Sequence, residues 1–422
     1  MAYRTRILDE ELDALADLPA IVLQGAKGVG KTETSLRRAR TVFRLDQPGQ
    51  AEIAAADPAR LTAGERPILI DEWQRFEPIW DVVRAAVDAD RTGGQFLLTG
   101  SASSRNARLH TGAARMVALR MRPMTLAERG VGSPTVSLRE LLAGYDPPVA
   151  GRTDIALADY AAEIVASGFP GLRGLRGRAL RAALDGYLNL IAEREFPLLG
   201  QPVRDPARLM RWMAATAAAT GTTATVETLR SAAARDGGAA PARTTVVEYQ
   251  RALEHLWVYE PLGAWTPSGS DIRRITGPDK HHLVDPALAA RLLNADSAAL
   301  LAGTDVVPRV PRTGTLLGAL FESLAALSVR VFAQAAEAKV YHFRTKAGER
   351  EADFIVETPA RRIVAIDAKL AAVVGRPDTE HLRWLRARLG DRFAGGVVLT
   401  TGAEAYRDED GIAVVPLALL GA

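Results

Sequence analysis

A glycine-rich run near the start of the chain carries the residue types that bind phosphate groups. The run GAKGVGKT fits the pattern G-x-x-x-x-G-K-[ST] and contributes Gly25, Gly28, Gly30, Lys31 and Thr32. Its glycines let backbone N–H groups curl around phosphates, its lysine reaches the β- and γ-phosphates, and its threonine hydroxyl binds Mg²⁺. The run therefore predicts a site for ATP with Mg²⁺.

Acidic and polar residues follow two apolar runs further along the chain. Asp71 and Glu72 come directly after the apolar residues 68–70, and Ser101 closely follows the apolar residues 96–98. A carboxylate at the end of a buried strand can complete the Mg²⁺ shell, and a second can polarise the attacking water. We predict these two roles for Asp71 and Glu72, and a contact between Ser101 and the γ-phosphate.

Hydrolysis also requires a cation near the negative charge that develops on the phosphates. The arginines that follow residues 96–98 are Arg105, Arg108, Arg115, Arg120 and Arg122. Six of the 53 basic residues are lysines, so 47 are arginines, and most of those are expected on the solvated surface. Among the arginines after this run, we select Arg115 as the catalytic cation.

The scarcity of lysine makes each lysine position informative. Because arginine is this chain's general cation, a lysine is expected where a compact ammonium group is needed. Four of the six lysines lie in motif positions: Lys27, Lys31, Lys280 and Lys369.

Two carboxylates and a lysine occur in a predicted hairpin near the end of the chain. Pairing of residues 351–357 with residues 362–369 places Asp353 opposite Asp367, and strand alternation puts Lys369 on the face of Asp367. Opposed carboxylates repel each other unless a cation such as Mg²⁺ lies between their oxygens. Lys369 would then orient or activate a hydrolytic water. The alternative is a degenerate nuclease fold kept as a docking domain, in which Asp367 and Lys369 form an ordinary surface pair.

The order of apolar and amphipathic stretches indicates which elements position these residues. Short apolar runs alternate with amphipathic stretches over residues 1–129, which is typical of a parallel sheet with crossover helices. Residues 130–152 are rich in glycine and proline and are predicted to form a linker. The middle of the chain is helical, and a long helix near residue 320 precedes the C-terminal strands.

The middle block has the element order of a winged helix-turn-helix. Three predicted helices between residues 209 and 257 precede a segment that is predicted to form a wing. The third helix carries Glu248 and Glu254 beside Arg251, although phosphate contacts dominate DNA affinity. The block is therefore a DNA reader or, alternatively, a structural module.

Together these motifs resemble one family, the prokaryotic AAA/STAND-like P-loop ATPases with a C-terminal PD-(D/E)xK domain similar to Holliday-junction resolvases. The resemblance covers GAKGVGKT, the Asp-Glu-Trp-Gln of residues 71–74, residues 122–128 and residues 277–285. The Gly-Arg that this family carries after its sensor strand is matched in part, by Ala114 and Arg115.

The resemblance implies further site residues and an architecture. It implies that Glu322, on a helix before the hairpin, joins Asp353 and Asp367 as a metal ligand. The expected fold class is α/β. The expected domains are a P-loop parallel-sheet domain at residues 1–145, a helical winged-helix-like domain at residues 146–303, and a restriction-endonuclease-like α/β domain at residues 304–422.

Composition excludes several kinds of site. The 422-residue chain has no cysteine, which excludes disulfides, thiolate zinc sites, iron–sulfur clusters and cysteine nucleophiles. A formal net charge of +3 gives no overall basic bias. The charged N-terminus and the absence of an uncharged apolar run of about 18 residues predict a cytoplasmic protein without a membrane partner.

The predicted function is that of an ATP-binding protein, a Mg²⁺-dependent ATPase coupled to DNA or other nucleic-acid binding or cleavage. The alternative is a non-catalytic nucleotide-dependent switch or DNA-binding regulator whose C-terminal domain only docks partners. The sequence leaves the oligomeric state open, with a homo-oligomer among the alternatives.

Overall fold

The chain forms two compact units in a computed structural model. The structure describes residues 3–101, 115–144, 147–200, 203, 205–234, 240–266, 277–304, 308, 310–345 and 348–422. The first unit comprises Met1–Pro123, Phe169–Gly171 and Leu253–Val258, and the second comprises Met124–Gly168, Leu172–Ala252 and Tyr259–Ala422. Most of the predicted middle domain therefore lies in one unit with the predicted C-terminal domain.

Helices and strands alternate in the first unit, whereas helices precede strands in much of the second. The α-helices of the described residues are α1 (Ile7–Ala14), α2 (Lys31–Leu36), α3 (Gln50–Ala56), α4 (Ile79–Ala89), α5 (Leu126–Arg129), α6 (Leu138–Ala143), α7 (Leu157–Ala166), α8 (Gly177–Leu190), α9 (Phe196–Leu198), α10 (Pro206–Ala218), α11 (Val226–Ala232), α12 (Arg243–His255), α13 (Pro286–Leu292), α14 (Ser297–Ala302), α15 (Leu316–Ala335) and α16 (Glu380–Leu389). The strands are β1 (Ala20–Gln24), β2 (Thr41–Arg44), β3 (Ile68–Asp71), β4 (Phe96–Gly100), β5 (Met116–Arg120), β6 (Val136–Ser137), β7 (Gly151–Arg152), β8 (Lys339–Arg344), β9 (Glu351–Glu357), β10 (Ile363–Ala368), β11 (Phe393–Thr400), β12 (Glu404–Arg407), β13 (Ala413–Pro416) and β14 (Leu420–Gly421).

The sheet of the first unit is parallel throughout, as the sequence pattern predicts. Its strand order is β2-β3-β4-β1-β5, which places β4 between the strand before the glycine-rich run and the strand before the two acids. Gln24 lies level with Gly100 and Arg120, and Asp71 lies level with Thr99. The residues that follow β1, β3 and β4 therefore meet at the carboxyl edge of the sheet, where ligands bind in open α/β folds.

The core of the first unit explains why its central strands read as continuous apolar runs. Side chains on both faces of β1, β3 and β4 are buried, and Val22, Ile70 and Leu98 pack in one cluster with Trp73 and Phe96. A parallel sheet covered on both faces requires this composition.

The larger sheet of the second unit is mixed and has the order β7-β12-β13-β11-β10-β9-β8. β9 and β10 form an antiparallel pair in which Glu357 faces Ile363 and Phe354 faces Ile366. This pairing confirms the predicted register of the hairpin. α16 connects β10 to its parallel neighbour β11.

The segment predicted as a linker is instead part of the second unit. Within residues 130–152, β6 pairs with β14 and β7 pairs with β12. α6 lies between these two strands and ends at Gly144, whose φ of +69° is a conformation that favours glycine. Gly144 therefore marks the end of a helix in a segment that pairs with the sheets of the second unit, and the prediction of a linker was wrong.

α15 is the one helix in the described part of the chain that is long and apolar enough to cross a membrane. About 78% of its apolar window is buried within the second unit. It packs on α7, α13, β8 and the β9–β10 hairpin. A long helix that is mostly apolar and covered in this way is a core helix.

Candidate functional site

The glycine-rich run forms a tight loop between β1 and α2. A Cβ atom at Gly25 would lie 2.1 Å from the carbonyl oxygen of Met121, so a larger residue requires the backbone to move. Gly30 has a φ of +108° directly before α2, which only glycine adopts readily. At these two positions the loop therefore has only backbone atoms, where any other residue would place a side chain.

Lys31 is the first residue of α2, directly after this loop. Its ammonium group donates hydrogen bonds to the carbonyl oxygens of Gly25 and Ala26, at 2.7 and 2.9 Å. Burial lowers the pKa of Lys31 to about 8, against the opposing effect of the Glu72 carboxylate. A phosphate group would provide the negative charge that stabilises this buried cation.

Asp71 accepts hydrogen bonds from two hydroxyl groups on neighbouring elements. Thr32 Oγ1 lies 2.9 Å from Asp71 Oδ1, and the Thr99 hydroxyl donates to the same oxygen. Hard oxygen atoms from a carboxylate and a hydroxyl are the ligands that Mg²⁺ prefers. The residues predicted to hold Mg²⁺ therefore meet, together with Thr99, to which the sequence pattern assigns no role.

Glu72 is held by two polar partners. Gln74 Nε2 donates to Glu72 Oε2 at 2.5 Å, and Ser101 Oγ donates to the same oxygen at 3.1 Å. Glu72 has a φ of +55°, an uncommon conformation for a residue with a side chain. Ser101, for which we predicted a phosphate contact, thus contacts the predicted catalytic carboxylate.

The predicted catalytic cation lies away from this edge. Arg115 directly precedes β5 and pairs with Asp88 at 2.5 Å on the surface. Arg120 ends the same strand beside the phosphate loop, and its charge contributes to the lowered pKa of Lys31. At about 3.3 Å per residue, the two arginines are separated by roughly 16 Å. Arg105 and Arg108 lie outside the described residues.

Arg120 is stacked on an aromatic ring. Its guanidinium carbon lies 3.7 Å from the centroid of the Trp257 ring, also in the first unit. An arginine over a tryptophan face gains a cation–π interaction and a fixed orientation. Of the two arginines that bound β5, Arg120 is therefore the one that lies at the carboxyl edge of the sheet, beside the phosphate loop.

The second unit contains an acidic cluster around a lysine. Lys280 Nζ lies 2.9 Å from Asp353 Oδ1, 3.0 Å from Glu322 Oε1 and 3.1 Å from Glu351 Oε1. Lys280 is 1% exposed. Burial alone would lower the pKa of Lys280, but the three carboxylates raise it well above its usual value.

The hairpin carboxylates lie beside this lysine. Asp353 Oδ2 accepts the Ala368 N–H at 2.9 Å, and Asp367 Oδ1 accepts the Asp353 N–H at 3.3 Å. Burial, assisted by the charge of Asp353, raises the pKa of Asp367 to about 7. Lys369 acts electrostatically on both aspartates. Glu322, Asp353 and Asp367 thus converge, with Lys280 as the member that the motifs did not assign to the site.

The acidic cluster does not fit a divalent cation as it stands. Among the described residues, no group of three or more histidine or acidic side chains is placed to hold a metal ion. Burial raises the pKa of Glu322 to about 8, which favours its neutral form. The Lys280 ammonium takes the contacts with Asp353 and Glu322 that a metal ion would need.

Comparison with known families agrees with the geometry of the first unit. Residues 17–129 match the AAA domain family. Residues 17–129 form an AAA domain. With the loop geometry, this match identifies the first unit as a nucleotide-binding P-loop domain of the AAA ATPase type. Residues 157–299 and 317–420 match two domains of unknown function, DUF8612 and DUF4143 respectively.

Two mycobacterial proteins are similar over most of the chain. The uncharacterized proteins Rv2008c of Mycobacterium tuberculosis and Mb2031c of Mycobacterium bovis are each 28% identical over 356 residues, covering 82% of this chain and 70% of theirs. Among solved structures, the RuvB Holliday junction branch migration motor of Thermotoga maritima is 19% identical with a TM-score of 0.25. That comparison covers 48% of this chain and 66% of RuvB, and its TM-score is too low to argue a shared fold.

The close approach at Gly25 gives a first prediction. Gly25→Ala is expected to weaken ATP binding at least about tenfold, because its methyl group would displace the loop from Met121. Binding of a fluorescent ATP analogue measures the effect. Gly171→Ala is the matched control, since a methyl group there meets open space. Equal affinities for the two variants would contradict the prediction.

Proposed function

We propose that the protein is a Mg²⁺-dependent ATPase. The observation that supports this most strongly is the arrangement of oxygen atoms at the carboxyl edge of the first sheet. The hydroxyl groups of Thr32 and Thr99 converge on Asp71, and Glu72 is fixed beside them by Gln74. One carboxylate is thus arranged for a metal shell and the other for a water molecule.

The site residues of the AAA domain have distinct roles in the proposed reaction. The loop N–H groups and Lys31 bind the phosphates, and Thr32 and Asp71 would hold Mg²⁺. Bound Mg²⁺ supplies positive charge to the phosphate oxygens. Glu72 orients the attacking water and accepts its proton, with its carboxylate held by Gln74 and Ser101.

ATP hydrolysis by the wild-type chain and by Lys31→Ala tests this proposal directly. We expect Mg²⁺-dependent phosphate release from the wild type and none above background from the variant, because the variant lacks the phosphate-binding ammonium group. ATP binding without phosphate release by the wild type would support the alternative, a nucleotide-dependent switch.

We propose Arg120 in place of Arg115 as the cation that stabilises the developing phosphate charge. Arg120→Ala is expected to lower kcat at least about tenfold with a smaller effect on KM, because such a cation acts mainly in the transition state. Arg115→Ala is the matched control and should leave turnover unchanged, since Arg115 pairs with Asp88 at the other edge. If Arg115→Ala instead lowered turnover more than Arg120→Ala, and if this difference increased with protein concentration, the result would favour an arginine supplied by another copy of the chain.

We propose that the second unit engages nucleic acid through the face that carries Asp353, Asp367 and Lys369. Support comes from the confirmed hairpin register and from the convergence of Glu322 on the same cluster. Because Lys280 occupies this cluster, the engagement itself does not depend on a bound metal ion. The alternative is a docking domain without cleavage. It is supported by the same lysine, because Lys280 takes the contacts that a catalytic metal ion would need.

Plasmid nicking separates these two functions of the second unit. Supercoiled DNA is incubated with wild type or Asp367→Ala in the presence of Mg²⁺ or Mn²⁺. Nicking by the wild type that is lost in the variant supports cleavage. Equal nicking by both proteins, or none by either, excludes cleavage at this cluster by the wild-type chain alone and leaves it the docking function.

A further inference from the structure

The Lys280 ammonium group occupies the position among the carboxylates that a metal ion would take in a metal-dependent site. Its ammonium group contacts Asp353, Glu322 and Glu351 within 2.9–3.1 Å, and the side chain is 2% exposed. These carboxylates come from α15 and β9, whereas Lys280 lies 73 positions before Asp353 in the chain. A distant segment therefore inserts one compact cation among converging acids.

The backbone around Lys280 holds it in this position. Lys280 and Leu262 exchange two backbone hydrogen bonds, of 2.8 and 2.9 Å. The next residue, His281, lies 2.6 Å from the Tyr259 hydroxyl and 2.8 Å from the Ala224 carbonyl oxygen. Hydrogen bonds of Lys280 and of the next residue therefore hold the backbone of this segment in place, and the lysine side chain reaches the carboxylates from it.

A second observation indicates that the cluster has unused capacity for a ligand. His282 is 1% exposed, and neither of its ring nitrogens has a hydrogen-bond partner among the described residues. Its Nε2 lies 3.8 Å from Glu322 Oε1. Asp367 Oδ2 is likewise buried without a partner in that part of the chain. Buried polar atoms normally have partners, so these atoms mark a place where a cation could be ligated.

We infer that Lys280 is the built-in cation of this acidic cluster and excludes divalent metal ions from it. Removing the ammonium group should leave a site for one divalent cation such as Mn²⁺ among the oxygens of Glu322, Glu351 and Asp353, which now contact that group. One consequence is that DNA cleavage by the second unit requires displacement of Lys280. This consequence rests on the proposed function of the second unit.

Mn²⁺ binding to the full, nucleotide-free chain tests the inference. Electron paramagnetic resonance measures free Mn²⁺ in the presence of the wild type, Asp353→Asn, Lys280→Met, or the double variant Lys280→Met with Asp353→Asn. We expect Lys280→Met to bind one more Mn²⁺ per chain than the wild type, and the double variant to lose it. No additional ion in Lys280→Met, or an ion that depends on Asp353 in the wild type as well, would overturn the inference.

Thermal unfolding keeps the test valid where the variant folds poorly. Lys280→Met leaves its acidic neighbours without their cation, so its Tm should fall in the absence of metal. Mn²⁺ should raise that Tm, or restore folding, while leaving the Tm of the wild type unchanged. Failure of Mn²⁺ to stabilise the variant more than the wild type would also overturn the inference.

Nicking by the metal-loaded variant separates the inference from the proposed function. Mn²⁺ binding accompanied by DNA nicking supports both. Mn²⁺ binding without nicking supports the exclusion of metal by Lys280 and removes the cleavage proposal. Nicking by the wild type that Asp353→Asn abolishes would show that Lys280 does not close the site.

Discussion

Glu72→Gln is expected to lower ATP turnover by about two to four orders of magnitude while ATP still binds. The substitution keeps the size of the side chain and removes the carboxylate that accepts the proton of water. Lys31 and the phosphate loop are unchanged, so the Kd for ATP should stay within about threefold of the wild type. Phosphate release and equilibrium binding of a fluorescent ATP analogue measure the two quantities separately.

The control for this prediction is a glutamate in the same unit that has no place in the site. Glu52 is exposed on α3, and Glu52→Gln should retain wild-type turnover. The turnover of Gln74→Ala should lie between those of Glu72→Gln and Glu52→Gln. In that variant Glu72 keeps its charge and its Ser101 contact but loses one hydrogen-bond partner. Undiminished turnover by Glu72→Gln would refute the assignment of the catalytic base.

The nucleotide site could be predicted from the sequence because its parts follow individual strands. The glycine-rich run, Asp71 and Ser101 each come after an apolar run, and parallel strands bring such positions to one edge. The contacts among them depend on strand order, which the runs do not encode. Only the placement of β4 between β1 and β3 shows that Thr99 reaches Asp71 and that Ser101 reaches Glu72.

The arginine could not be chosen from the sequence for a related reason. Arg115 precedes one short strand and Arg120 ends it, and a shift of the strand boundaries by several residues would bring Arg115 to the edge that carries the loop. The structure begins β5 at Met116, so Arg115 lies at the amino edge and Arg120 at the carboxyl edge. Local pattern identifies a strand more reliably than it identifies the ends of that strand.

In the acidic cluster, too, the contacts between residues close in sequence could be predicted, whereas the contacts with a distant segment could not. The hairpin register follows from alternation and a short turn, so the opposition of Asp353 and Asp367 could be predicted. The insertion of Lys280 depends on tertiary packing of a segment far away in sequence. The scarcity of lysine was a signal for it, since a compact ammonium group fits among three carboxylates.

Asp285→Ala is expected to destabilise the second unit by about 3–5 kcal/mol. Asp285 is fully buried and accepts three hydrogen bonds: from the Ser167 hydroxyl at 2.7 Å, the Gly168 N–H at 2.8 Å and the Ala287 N–H at the start of α13 at 2.9 Å. Its negative charge also favours the charged form of the buried Arg129. Alanine would leave buried donors without an acceptor and remove part of the charge that compensates this arginine.

Asp296→Ala provides the matched control for this stability prediction. Asp296 likewise caps a helix, accepting the Ala299 N–H at 2.9 Å at the start of α14, but it is exposed to solvent. Water replaces the lost acceptor there, so we expect a loss of about 1 kcal/mol. Urea unfolding followed by circular dichroism compares the two variants. Equal losses would mean that Asp285 acts only as a helix cap, whereas a larger loss for Asp285→Ala shows that it joins α13 to the Ser167 turn.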